Sequence, residues 1–128
     1  MAYKLNVFED GLIANFTGTV TSRMIEACDQ EISSKKGFSN SRYIIYNFLG
    51  CDTSSANLDE AYEFGVKDAA RSYENKNLRM AVITKDPDFI ILAESYKKMG
   101  AMLGSGWKIK VVETMDDAKE WCQVTSEC

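Results

Sequence analysis

The stretch that decides the fold is RYIIYNFLGCDTSSANLDEAYEFG, residues 42–65. Its first part is a near-continuous apolar run, as in strands of a parallel sheet covered on both faces. Three hydroxyl residues follow, Thr53, Ser54 and Ser55. Asn57, with Glu60 three positions on, then offers a helix start, because an Asn side chain can accept the first free N–H groups. The helix carries Leu58, Ala61, Tyr62, Gly65, Val66, Ala69 and Tyr73 at three-and-four spacing, with charged residues between them.

The same strand–helix unit recurs on either side. Upstream, Tyr3, Leu5 and Val7 alternate with Lys4 and Asn6, and Leu12, Ala14 and Phe16 resume after Asp10-Gly11. Period-two alternation around such a pair predicts a tight β-hairpin, since glycine tolerates the positive φ of these turns. Thr21 or Ser22 can cap a helix with Met24, Ile25, Cys28 and Ile32 on one face, and Gly37 is a plausible stop. Downstream, LRMAVITKD is a buried-type strand. Asp86 and Pro87 open a third helix with a core stripe of Phe89, Leu92, Ala93, Tyr96, Gly100 and Leu103, and Gly104 stands near its exit. WKIKVVET is the last strand, and Thr114 with Asp117 starts a helix burying Ala118, Trp121 and Cys122. The order β-β-α-β-α-β-α-β-α predicts one α/β domain over residues 1–128: a mixed, mostly parallel five-stranded sheet with about four helices.

Composition narrows function. A chain of 128 residues, 45% of them hydrophobic, can bury a real core. The formal charge of -4 disfavours general nucleic-acid binding, because the chain and a phosphate backbone repel. No apolar stretch reaches the roughly 20 residues that span a bilayer, and the first ten residues have no signal-peptide core. A cytoplasmic protein without stable membrane insertion is expected. There is no histidine, which removes Ser-His and Cys-His pairs and the usual imidazole ligands. None of Cys28, Cys51, Cys122 and Cys128 forms a C-x-x-C pair; the first three read as small buried hydrophobes and Cys128 as an exposed thiol. Asp52, Asp86, Asp88, Glu113 and Asp116 fall where the carboxyl ends of strands are expected, an edge where α/β sheets bind ligands or a hard metal. Helix capping explains each of them separately, and no compact metal motif is present, so neither a metal nor any other cofactor is expected.

This element order, with a hydroxyl-rich turn after the third strand, resembles the STAS fold of anti-sigma-factor antagonists and sulfate-transporter tails. It is more similar to small stand-alone SpoIIAA-like bacterial proteins, sometimes grouped with Sec14-type lipid-binding folds. The ending VVETMDDAKEWC resembles that subgroup's acidic cap, Ala and Trp. The resemblance implies a non-catalytic, regulatory or ligand-binding module. In the antagonists, the first Ser of a D-S-S-G motif is phosphorylated. An ungapped alignment of the preceding strand puts Ser55-Ala56-Asn57-Leu58 there, so the acceptor position holds Ala56. Shifting the register to Asp52-Thr53-Ser54-Ser55 leaves too little loop after the strand.

The third helix is more apolar than a core stripe needs, through Ile90, Ile91, Met99 and Met102. Such a face covers a larger core, lines a pocket or meets another chain. The expected function is binding of an apolar small molecule or a protein partner, with homodimerisation possible. The expected surface is Tyr62, Val66, Phe89, Ile90, Ile91, Met99 and Met102, bordered by Ser55 and Asn57. Methionine suits adaptable apolar contact because its thioether repacks easily. The alternatives are a phosphoswitch antagonist and an enzyme using carboxylates or a thiol.

Overall fold

Strands β1 (Tyr3–Val7) and β2 (Gly11–Phe16) form the expected antiparallel hairpin. These and all later elements come from a computed structural model that describes residues 3–124. Gly11 earns its place for another reason than the turn. Its φ is not positive; it pairs with Tyr43, and a Cβ there would lie 2.3 Å from the Tyr43 ring. The side chain is absent so that the ring can lie over the backbone. Tyr3 and Leu5 pack on the core, whereas Val7, expected on the same face, is 55% exposed at the strand's end.

Helix α1 (Ser22–Ser34) follows β3 (Gly18–Thr19), and α2 (Leu58–Arg71) follows β4 (Tyr43–Asn47) and β5 (Cys51–Asp52). Helix α3 (Pro87–Met102) lies between β6 (Arg79–Ile83) and β7 (Lys108–Val112), and α4 (Met115–Cys122) comes last. The main sheet runs β1-β2-β4-β6-β7, parallel from β2 onward, with β4 at its centre. The chain therefore steps across the sheet in one direction. Right-handed crossovers then put α1, α2 and α3 on one face, and α4 turns back to cover the other. The short pair β3–β5, parallel, was not foreseen; it ties the entry to α1 to the loop before α2.

The pleat separates two cores. Leu12, Ile44 and Met80 are register partners and face α1–α3, with Phe16, Tyr46, Phe48 and Val82. Ile13, Ile45 and Ala81 face α4, with Tyr43, Ile83, Ala118 and Cys122. Full burial of Tyr43, Ile44 and Ile45 fits the apolar run that announced this strand.

All four α-helices start at residues read as starts in the sequence. The side chains of Thr21, Asn57, Asp86 and Thr114 accept from the backbone N–H of Met24, Glu60, Asp88 and Asp117. Helix α3 ends at Met102, and Gly104 beyond it takes a φ of +84°, which glycine permits. Leu103, placed in the core stripe from its spacing, is 47% exposed because the helix has already ended. Cys28 and Cys122 are buried and Cys51 is half-buried; Cys128 lies outside the described residues.

Candidate functional site: a cavity under three helices

Helix α2 meets its two neighbours in different ways. Against α3 it packs backbone to backbone: a Cβ on Gly65 would sit 2.8 Å from Met99 Cβ and 3.0 Å from the Tyr96 carbonyl oxygen. Toward α1 it reaches with long polar side chains. Lys67 pairs with Glu26, Arg71 Nε donates to Ser33 Oγ (3.0 Å), and Arg71 Nη1 lies 3.7 Å from Asp29 Oδ2.

A cavity of about 100 Å³ lies under these helices. Tyr46, Phe48, Met80 and Val82, from one face of the sheet, form its floor. Helix α2 contributes Glu60, Ala61, Phe64 and Asp68, a single face by their spacing, and its cap Asn57 joins them. Ile25 and Asp29 line it from α1; Phe89, Leu92, Ala93 and Tyr96 from α3. Thr53 and Ala56 contribute from the loop before α2. An engineered cavity of roughly 150 Å³ with apolar walls holds benzene, so this space suits a short chain or a small ring.

One part of the wall is charged. Tyr46 Oη donates to Asp29 Oδ1 (2.6 Å), and Tyr96 Oη donates to Asp68 Oδ2 (2.5 Å). Arg71 Nη1 donates to Asp68 Oδ1 at 2.8 Å. The guanidinium carbon lies 5.4 Å from the Phe38 ring centroid and 5.3 Å from that of Trp107, while Nη2 is buried with no acceptor among the described residues. Burial, with Asp68 nearby, raises the Asp29 carboxyl to about 7 against the attraction of Arg71. Burial likewise raises Asp68 and, aided by the carboxylates, both tyrosines. The thiols are poor nucleophiles: burial pushes Cys28 and Cys122 up to about 12 and Cys51 to about 11.

The residues expected at a binding surface divide. Phe89 and Asn57 line the cavity. Ser55 stands beside it, donating from Oγ to the carbonyl of Val20, a lining residue (2.6 Å). Tyr62, Val66, Ile91 and Met102 are exposed outside it, Met102 at 80%. Ile90 and Met99 are half-buried and outside the lining, Met99 against Gly65. Asp29, Asp68 and Arg71 were missed as a group. Their signal was positional: Asp29 sits between Ile25 and Ile32 on the inward face of α1, and Asp68 one turn after Phe64 on α2.

The hydroxyl loop is internally satisfied. Thr53 is buried and donates to Asp86 Oδ2 (3.0 Å), and Asp52 Oδ1 accepts from the Ser54 N–H (2.9 Å); hydrogen bonding by the Ser54 side chain and then by its N–H lowers the Asp52 carboxyl. Asp86 also caps α3 through Oδ1. Among the described residues, no three Asp, Glu, Cys or His side chains come together as metal ligands, and no helix is long and apolar enough to cross a membrane.

No family model and no curated protein matches the sequence. Among solved structures, the chain is similar to an uncharacterised protein of the DUF3478 family with a SpoIIAA-like fold from Shewanella loihica PV-4. The TM-score is 0.56 at 17% identity, over 94% of this chain and 92% of that one. The parallel run from β2 to β7, the three helices over one face and this likeness agree: the chain has a SpoIIAA-like fold.

Proposed function

We propose that this protein is a non-catalytic binding module, acting in the cytoplasm, whose cavity under α1, α2 and α3 takes a small, largely apolar molecule. The carrying observation is the cavity wall: Phe48, Phe64, Val82, Phe89 and Leu92 line one half-open space. A guest there sheds water from its apolar surface, worth about 25 cal/mol per Å². Polar groups on the same wall orient it. Raised thiol pKa values and a hydroxyl loop tied into caps argue against nucleophilic chemistry. A phosphate on Thr53 would replace its donor to Asp86 with a dianion beside a carboxylate, which repels.

The test is native mass spectrometry of the purified protein, followed by a methyl-detected NMR titration with 1-hexanol. Saturable shifts at Met80, Val82 and Leu92 are expected. Shifts confined to Ile91 and Met102, or no saturable shifts, would move binding off the cavity and overturn the reading.

A further inference from the structure

The charges around the cavity do not balance. Its lining includes three carboxylates, Asp29, Glu60 and Asp68, and no lysine or arginine. Among the described residues, Arg71, behind the wall, is the one cation paired with Asp29 and Asp68, and its short bond goes to Asp68. Asp29 is only 9% exposed, yet its Oδ2 accepts no hydrogen bond among the described residues; Arg71 Nη1, at 3.7 Å, is too far. Oδ2 is thus held by an ion pair and not by a hydrogen bond, and Asp29 lines a space with room for a guest.

We propose that the cavity's ligand is a small amphiphile carrying a protonated amine, with the ammonium against Asp29 and the apolar end toward Phe48 and Phe89. The inference rests on the binding reading above and gives it a ligand class. An ammonium brings positive charge to a wall lined by carboxylates and donates a hydrogen bond to Oδ2. A carboxylate-bearing guest would instead add a fourth negative group to a wall without a facing cation. A neutral alcohol gains the apolar contact and can donate one O–H to Oδ2, but it brings no positive charge, so its bond there is the weaker one.

Asp29 also has a competing partner, the proton. The groups facing it are Glu26 from its own helix, Asp68 and Arg71 from α2, Tyr46 from β4 and Tyr96 from α3. Near neutrality the ammonium and the proton compete for one oxygen, so amine binding strengthens as pH rises while hexanol binding does not.

The experiment is calorimetric titration of the full chain with hexylamine, 1-hexanol and hexanoate at pH 6 and pH 8. The expected result at pH 8 is hexylamine tighter than hexanol by about ten-fold, the size of one charge-assisted bond. Hexanoate should be weakest, and the amine's advantage should shrink at pH 6. In Asp29→Asn, amine and alcohol should bind alike; Asp68→Asn, which removes one negative charge while keeping Asp29, should retain part of the preference. Equal binding of amine and alcohol to the native chain at pH 8 would overturn the amine inference and leave the cavity reading intact. Tighter hexanoate binding would also overturn it. Binding of none of the three would take down the cavity reading, and the inference with it.

Discussion

The two faces of the central sheet solve the same problem differently. On one, α4 lays Ala118 and Cys122 directly on Ile45, Ala81 and Ile83, and the contact is apolar throughout that cluster. On the other, three helices share a wider floor. Two of them interlock at Gly65, while α1 is joined to α2 by ion pairs and hydrogen bonds. Polar links of that length hold helices apart, and the cavity lies where side chains do not meet. Closed packing gives stability; the polar seam gives up some of it for a half-open space with charge on its wall.

Breaking the seam should have the largest effect. Arg71→Met leaves Asp29 and Asp68 buried without their cation, a change that costs about 3–5 kcal/mol in comparable buried pairs. Denaturant unfolding at pH 8 measures it. At pH 5 the loss should be smaller, because Asp29, its carboxyl raised to about 7, then holds its proton. A loss that does not depend on pH would mean that Arg71 acts through its stacking on Phe38 and Trp107 alone.

Adding volume separates the two faces. Ala118→Leu overpacks the closed core and should cost about 1–3 kcal/mol. Ala61→Leu enters the cavity and should be neutral or stabilising by about 0.5–1 kcal/mol, while displacing hexanol. Equal penalties in thermal melts would erase the distinction.

The third prediction uses pH. Asp29 holds its proton more tightly in the folded chain than in the unfolded one, with its carboxyl raised to about 7. The folded state therefore binds more protons between about pH 4 and pH 7, and stability from this group falls as pH rises through that window. Asp29→Asn should be no more stable than the native chain at pH 4 and more stable at pH 8, by about 1 kcal/mol or more. An advantage that is the same at both pH values would show that Asp29 does not titrate there.

The smallest effect is expected on the surface. Ile91→Ser and Met102→Ser should each change stability by less than about 0.5 kcal/mol, because both side chains are mostly in water. A large fall in melting temperature would place them in an interface.

Much of this architecture was legible because it depends on local chemistry. Caps need a side-chain acceptor at one position, so Thr21, Asn57, Asp86 and Thr114 announced their helices. A strand buried on both faces must be apolar throughout, and Tyr43–Asn47 nearly is. The inward face of α2 was harder to read. Its exposed flank carries Leu58, Tyr62, Val66 and Tyr73, so apolar spacing pointed partly at solvent, while the true wall holds Phe64 and Asp68. A buried charge is invisible to hydrophobic periodicity, and Asp29 gains its meaning only from Tyr46 and Arg71, distant in the chain. Gly11 was read as a turn residue although its reason is a ring on the neighbouring strand.

The most direct test of the central contrast is a crystal structure under xenon pressure, since xenon enters apolar cavities without needing a particular ligand. One xenon site is expected between the sheet and α1–α3, touching Phe48, Phe89 and Leu92, with none between the sheet and α4. Xenon under α4, or an empty space beneath the three helices, would contradict it.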